Sequence, residues 1–211
     1  MARTAEAKCR VCRRAGTKLF LRGERCFTPK CAIVRRNYPP GVQGAKKARP
    51  RLTTFGLQLR EKQKCRQLYR ISETQMENYF AKAISKKGDT GVLMQQLLER
   101  RLDNLVYRLG WSRSRDEGRQ TVGHGFIRVN NKKVSIPSYE VKVGDVISLK
   151  TDTEKNTHFV QDISPQLEGQ KLPSWLISEK GTFVGKVVGL PQGDDLLSQF
   201  DMKLIVEFYS R

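Results

Sequence analysis

Four of the five cysteines lie within the first 31 residues, as two close pairs: Cys9 with Cys12, and Cys26 with Cys31. That spacing constrains this end of the chain more than any other feature. Each short pair turns two sulfurs toward one point, and two pairs thirteen residues apart can wrap one tetrahedral metal ion. The N-terminus Met1-Ala2-Arg3-Thr4-Ala5-Glu6 lacks the apolar stretch of a secretory signal, so disulfides are the poorer reading. Four reduced structural thiols are the alternative, and the paired spacing argues against it. Zinc is favoured over an iron–sulfur cluster, although thiolates suit both. A full quartet leaves no open position for water or substrate, so the metal's role is structural. Arg10, Arg13, Arg14, Lys18, Arg22, Arg25 and Lys30 lie between the first and last cysteine, with Lys8 just outside. These cations are expected to hold down the thiolate pKa values and to offset the charge of four thiolates. Cys65 has no partner in the pattern and reads as a small residue on a helix face.

Charge sets the class of partner. Forty Lys and Arg against twenty-one Asp and Glu give a net +19, which repels itself in a compact fold unless polyanions neutralise it. Residues 1–51 hold fifteen basic and two acidic side chains, a net of +13. Residues 52–150 hold nineteen and ten, a net of +9, and residues 151–211 hold six and nine, a net of −3. One end therefore meets phosphate while the other meets protein or solvent. No apolar run approaches the roughly 18 residues needed to span a bilayer. A soluble, cytoplasmic protein of one or two domains with no membrane partner is the expectation.

Residues 1–51 show little periodicity and many turn formers, including Tyr38-Pro39-Pro40-Gly41. They read as a metal-stapled knob leading into the basic connector Lys46-Lys47-Ala48-Arg49-Pro50-Arg51. Residues 57–70 carry a weak amphipathic pattern. Residues 73–86 follow Ser72, a fair N-cap, and set Met76, Tyr79, Phe80, Ala83 and Ile84 on one helical face. From Thr90, taken as a cap, Leu93, Leu97, Leu98, Leu102, Leu105, Val106 and Leu109 recur at helical steps until Gly110. Ser114-Arg115-Asp116-Glu117 is a capping-box pattern that predicts a short helix to about Val122. Residues 126–129, a tight turn at Asn130-Asn131, residues 133–136 and residues 143–149 predict a small antiparallel sheet. In the tail, residues 172–176 read as a turn or short helix, and residues 183–190 and 204–208 as strands. The class is α+β, with a metal-stapled basic N-terminal segment, a helical domain and a small module of helices plus a short sheet.

Two regions are candidates for RNA contact. The basic head combines Arg3, Arg10, Arg13, Arg14, Lys18, Arg22, Arg25, Lys30, Arg35, Arg36, Lys46, Lys47, Arg49 and Arg51 with Tyr38 and Phe27. Phosphate contact with occasional stacking is what RNA grooves require. The lack of interleaved acids argues against a merely solvated charge run. Lys62, Lys64 and Arg66 continue the positive charge beyond the head. The second region is residues 112–139. Ser112, Arg113, Ser114 and Arg115 sit at a helix N-terminus, where backbone N–H groups favour an anion. Arg119, Gln120, His124, Lys132 and Lys133 follow along the helix and the turns of the sheet. A polar turn residue is the competing reading of His124.

These residues carry a resemblance. Lys18-Leu19-Phe20-Leu21-Arg22-Gly23-Glu24-Arg25-Cys26, Tyr38-Pro39-Pro40-Gly41 and Gln58-Leu59-Arg60-Glu61-Lys62-Gln63-Lys64 are long stretches of it. So are Arg101-Leu102-Asp103-Asn104-Leu105-Val106-Tyr107-Arg108-Leu109-Gly110, Pro137-Ser138-Tyr139 and Leu204-Ile205-Val206-Glu207-Phe208-Tyr209-Ser210-Arg211. Along essentially its whole length the chain resembles the bacterial small-subunit ribosomal protein four family, in the form that keeps a Cys quartet. The resemblance implies a helical domain (residues 52–98 and 164–211) into which a small RNA-binding module (residues 99–163) is inserted. It implies early, direct binding to the five-prime domain of small-subunit ribosomal RNA and an effect on assembly and decoding accuracy. It also implies contact with ribosomal protein five and other small-subunit proteins, and a place near the messenger RNA entry channel. The family usually has Ala-Arg-Gln where this chain has Gly118-Arg119-Gln120, His-Gly-His at His124-Gly125-Phe126, and Asn-Gly at Asn130-Asn131. The glycine should weaken its helix by about 1 kcal/mol relative to alanine.

Two other functions compete. Pseudouridine synthases can carry the same module, and their active site uses an Arg-Leu-Asp sequence whose letters recur at Arg101-Leu102-Asp103. Here those letters fall inside a strongly periodic helix, where Arg and Asp read as ordinary surface residues, and no catalytic domain of adequate size follows. The expectation is a protein that is not an enzyme. A zinc-dependent DNA-binding regulator would concentrate its charge on one recognition helix, whereas here the charge spreads over two regions.

Overall fold

The computed structural model describes residues 7–45, 51–150, 172–178, 183–196 and 199–211. The chain divides into two compact units, Met1–Met94 with Ser198–Arg211, and Gln95–Leu197.

In the first unit, α1 (Lys8–Ala15) ends at Gly16, whose φ of 75° lets its N–H turn back to the Cys12 carbonyl. A 3-10 turn over Gly23–Cys26, the short α2 (Ala32–Arg35) and a second 3-10 turn over Val42–Ala45 complete the N-terminal segment. It therefore holds more helix than its weak periodicity suggests. Next comes α3 (Thr54–Tyr69), which begins three residues before the expected position because Thr53 Oγ1 accepts the Gly56 N–H at 3.2 Å. Ser72 and Gln75 form a reciprocal capping box that starts α4 (Glu73–Ile84). Asp89, rather than Thr90, starts α5 (Thr90–Glu99): its Oδ1 accepts from the N–H groups of Gly91 and Val92. Cys65, Leu68, Met76, Ala83 and Ile205 are buried in this unit.

The second unit reverses one expectation about helices. The apolar period from 90 to 109 belongs to two helices, α5 and α6 (Leu102–Arg108). Between them Arg101 is extended (φ −67°, ψ 137°) and bridges to Glu140, while Leu102 N–H donates to the Tyr139 carbonyl and Asp103 N–H to that of Pro137. The loop before the third strand thus takes the hydrogen bonds that a continuous helix would have used. Ser114 caps α7 (Arg115–Gly123) by accepting the Glu117 N–H. Here α6 and α7 pack so closely that a Cβ on Gly118 would lie 2.7 Å from the Asp103 carbonyl oxygen. The glycine that weakens the helix on propensity alone is the residue this approach requires.

The sheet is antiparallel, in the order β2-β1-β3-β5-β4. Its strands are β1 (Ile127–Val129), β2 (Lys132–Lys133), β3 (Val146–Leu149), β4 (Leu176–Ser178) and β5 (Val184–Val187). Asn130 and Asn131 have φ of 49° and 63°, the paired left-handed conformation of a two-residue hairpin turn. Ile127, Val129, Ile147, Leu149 and Val187 alternate inward onto Leu102, Leu105, Val106, Leu109, Trp111 and Val122. The resemblance groups residues 172–196 with the helical domain, yet β5 pairs with β3 and carries β4 beyond it. Leu176 and Val187 are buried in the core of this unit, and β3 offers the edge along which β5 pairs. The unit containing the sheet accordingly runs Gln95–Leu197, and the helical unit resumes at Ser198.

The last element corrects a second expectation. Residues 204–208 read as a strand but form α8 (Met202–Tyr209), with Asp201 accepting the Lys203 N–H at 2.9 Å. Ile205 is fully buried, Phe208 packs near Phe55, and Tyr209 stacks on Phe80 at 5.0 Å. The β-branched pair Ile205-Val206 suggests a strand, but packing on α3 and α4 outweighs that weak preference. Among the described residues no helix is long and apolar enough to cross a membrane.

Candidate nucleic-acid interface and thiol cluster

The four N-terminal cysteines line one small cleft, together with Lys8, Leu21, Arg22, Arg25, Ala32 and Ile33. Cys9 and Cys12 come from α1, Cys26 from the end of a 3-10 turn, and Cys31 from the N-cap of α2. All four are free thiols; Cys12, Cys26 and Cys31 are buried and Cys9 half-buried. No carboxylate or imidazole lines the cleft, so its donor set is all sulfur. Among the described residues no three Cys, His, Asp or Glu side chains stand in a metal-ligand arrangement; the sulfurs share a cleft without being drawn together to that degree.

Burial pushes the Cys12 and Cys26 thiols up, and neighbouring cysteines of the quartet add to it. A hydrogen bond from the Leu19 backbone opposes this at Cys12, and one from the Arg22 N–H (3.4 Å) opposes it at Cys26. The expected lowering by nearby cations is therefore reversed at these two sulfurs. Most cations of the segment point to solvent, and Lys18 acts on Cys26 more weakly than burial does.

Around this cleft Arg10, Arg14, Arg22, Arg25, Lys30, Arg35 and Arg36 are exposed, as is Arg51 further on. Arg13 instead ties α1 to the proline turn: its guanidinium donates to the Tyr38 and Pro39 carbonyls and lies 4.7 Å from the Tyr38 ring centroid. Tyr38 and Lys18 are half-buried. Arg3, Lys46, Lys47 and Arg49 lie outside the described residues.

Three expected RNA contacts on α3 are paired with carboxylates of the fold. Lys62 is buried, bonds the Glu73 carboxylate and lies 4.3 Å from the Phe208 ring centroid. Lys64 pairs with Glu61 at 2.7 Å, and Arg66 lies 3.8 Å from Glu73. Glu73 also accepts the Tyr209 hydroxyl at 2.7 Å. Burial would raise the Glu73 carboxyl, but the bonds from Lys62 and Tyr209 outweigh it and hold the group below its ordinary value. Burial and the same carboxylate push the Tyr209 hydroxyl up.

On the second unit Arg113, Gln120, His124, Lys132 and Lys133 are exposed or half-buried, and Arg119 is half-buried. Ser114 is spent on its cap. Arg115 is buried, donates to Asn104 Oδ1 at 2.7 Å and lies over Tyr107. The start of α7 also carries its own anion. The Glu117 carboxylate accepts the Arg113 N–H at 2.6 Å and pairs with the Arg113 guanidinium at 3.0 Å. The anion site expected from Ser112 to Arg115 is thus filled from within the chain. His124 stacks on Phe126, with centroids 5.7 Å apart and planes 18° apart.

Sequence reasoning missed cations on the open sheet face. Arg128 lies in register with Lys133, and Lys186 on β5 is exposed between Val146 and Ile177. The Ile127-Arg128-Val129 alternation marks Arg128, whereas Val184-Gly185-Lys186-Val187 carries no such signal and only the fold turns Lys186 outward; sequence reasoning passed over both. It also misplaced Arg101 and Asp103. Rather than surface residues, they are 1% and 3% exposed and joined by a bidentate pair at 3.0 and 2.7 Å. Asp103 further accepts the Asn104 N–H at 2.9 Å, and Glu99, fully buried, is held by Asn104 and Arg108. An aspartate so committed is a brace of the fold.

Two family models match in succession: the ribosomal protein S4/S9 N-terminal domain over residues 3–99, and the S4 domain over residues 100–147. Their junction falls where α5 gives way to α6. The chain is 49% identical over 211 residues to the small ribosomal subunit protein uS4 of Ruminiclostridium cellulolyticum, covering all of both chains. It is 50% identical to that of Acetivibrio thermocellus and 47% identical to that of Koribacter versatilis, again over the full length of each. Matches of this extent, on a chain whose exposed cations ring a thiol-lined knob and a small sheet, show that it belongs to the small ribosomal subunit protein uS4 family.

Proposed function

We propose that the chain is a structural component of the small ribosomal subunit that binds small-subunit ribosomal RNA directly, in the cytoplasm, as part of the ribosome. Full-length identity to relatives of that name carries the reading. The family is a ribosomal structural one and not an enzyme family. The physical support is the charge gradient, together with the exposed cations on the knob and on the module. Lys and Arg contacts to phosphate release counterions, and the shape of folded RNA supplies specificity. The finer reading is early binding to the five-prime domain of that RNA, with effects on assembly and decoding accuracy. Its protein neighbours are ribosomal protein five and other small-subunit proteins, and it lies beside messenger RNA near the entry channel. The two-unit division supports the reading of an RNA-binding module set within a helical domain.

An all-sulfur donor set suits one structural zinc ion held by Cys9, Cys12, Cys26 and Cys31, with the sulfurs drawn closer together than they stand. A divalent cation would replace the protons that burial keeps on Cys12 and Cys26, and would fix a segment with little apolar core of its own. Co-sedimentation with small subunits tests the function, and metal analysis of the same material tests the ion. Failure to co-sediment sinks the ribosomal reading. Unchanged metal content and RNA affinity in Cys9→Ser with Cys26→Ser sinks the zinc reading.

A further inference from the structure

We propose that Phe27 is a stacking platform for an unpaired RNA base; this rests on the ribosomal RNA-binding reading and specifies one contact within it. Phe27 follows the 3-10 turn that carries Cys26 and is 71% exposed, an unusual position for a large ring. Its ring is supported from one side by Phe20, with centroids 5.1 Å apart and planes 30° apart. Phe20 itself holds φ at 51°, a left-handed conformation that bulky side chains avoid. The fold thus holds a strained residue that places one aromatic ring behind another.

The surroundings choose the occupant. Arg22, Arg25 and Lys30 are all exposed, close to Phe27 in sequence, and Arg22 and Arg25 also line the thiol cleft. An apolar protein surface would have to desolvate those cations without neutralising them. A single-stranded RNA segment supplies a π-face for the ring and phosphates for the cations at once. Contact with Phe20 already restricts the ring, which reduces the freedom lost on stacking.

The test uses the full chain and a transcript of the five-prime domain of small-subunit ribosomal RNA. Phe27→Ala is expected to weaken binding by about ten-fold, the scale of removing one base–aromatic stack. The salt dependence should stay unchanged, because every phosphate keeps its cation. Phe27→Leu keeps apolar cover over Phe20 but offers no ring, so it should bind as weakly as the alanine variant, while Phe27→Tyr should bind like the parent. Phe27→Trp should lose indole fluorescence when RNA is added; Trp111 and Trp175 are buried and give a steady background. Parent-like affinity in Phe27→Ala, or rescue by Phe27→Leu, overturns the proposal, as does an unquenched Phe27→Trp that still binds. If the unaltered protein fails to bind the transcript, the ribosomal reading falls first, and the stacking proposal falls with it.

Discussion

At the scale of single residues, two positions set local limits. Gly118 lies where α7 meets the Asp103 carbonyl. Alanine would gain about 1 kcal/mol of helix propensity, but backbone overpacking costs about 1–3 kcal/mol. Gly118→Ala should therefore lower the urea midpoint of the Gln95–Leu197 unit, read by tryptophan fluorescence, since both tryptophans lie in that unit. A raised midpoint would mean that the two helices can separate at no cost. Glu73 is the second. Because its carboxyl is held below its ordinary 4.5 in the folded state, it stabilises the protein above that value. That contribution disappears as the pH falls through the folded-state value. Glu73→Gln should cost about 2 kcal/mol near neutrality, since it leaves buried Lys62 without its anion. It should also flatten the acid limb of stability measured by circular dichroism from about pH 3 to 7. An acid limb identical to the parent's would assign that limb to other carboxylates.

Whole elements were legible where a cap or a turn announced them. Ser72, Ser114 with Glu117, and Asn130-Asn131 each act over three or four residues, and the structure uses all three as starts or turns; the answering bond from Gln75 at Ser72 is visible only in the structure. The break between α5 and α6 left no such sign, because the apolar period runs on through it and the interrupting partner, residues 137–141, is distant in sequence. The same holds for α8, whose helical state depends on α3 and α4 offering a surface for Ile205, Phe208 and Tyr209. A chain ending at Asp201 should consequently lose helix and tertiary order in the first unit. The fluorescence of Trp111 and Trp175 should remain that of buried indoles, because among the described residues their core includes none from α8. A red shift of that fluorescence on truncation would show that the tryptophan core depends on α8.

Over the whole molecule, charge is divided between exposed cations and internal bracing. Arg10, Arg14 and Arg22 are exposed, whereas Lys62 is neutralised inside the fold. Changing the first three to alanine should reduce the slope of log affinity against log salt by about 0.7–0.9 for each phosphate left without its cation. Lys62→Ala should lower stability and leave the slope as it was. Filter binding to small-subunit RNA at several salt concentrations separates the two outcomes, and equal slopes for all variants would place the RNA face elsewhere.

Composition, the cysteine pairs and local periodicity by themselves determined the class, the polyanion partner, the thiol-bearing head and the starts of α4, α5 and α7. Those properties are additive along the chain or set within a few residues. Which cations face outward could be decided only by the tertiary structure. Lys62 and Arg115 look like Arg10 or Lys132 in sequence, yet each meets a partner brought from another helix. The thiols differ in the same way: neighbouring charge in the sequence predicted lowered values, but the fold buries Cys12 and Cys26, and desolvation outweighs those cations.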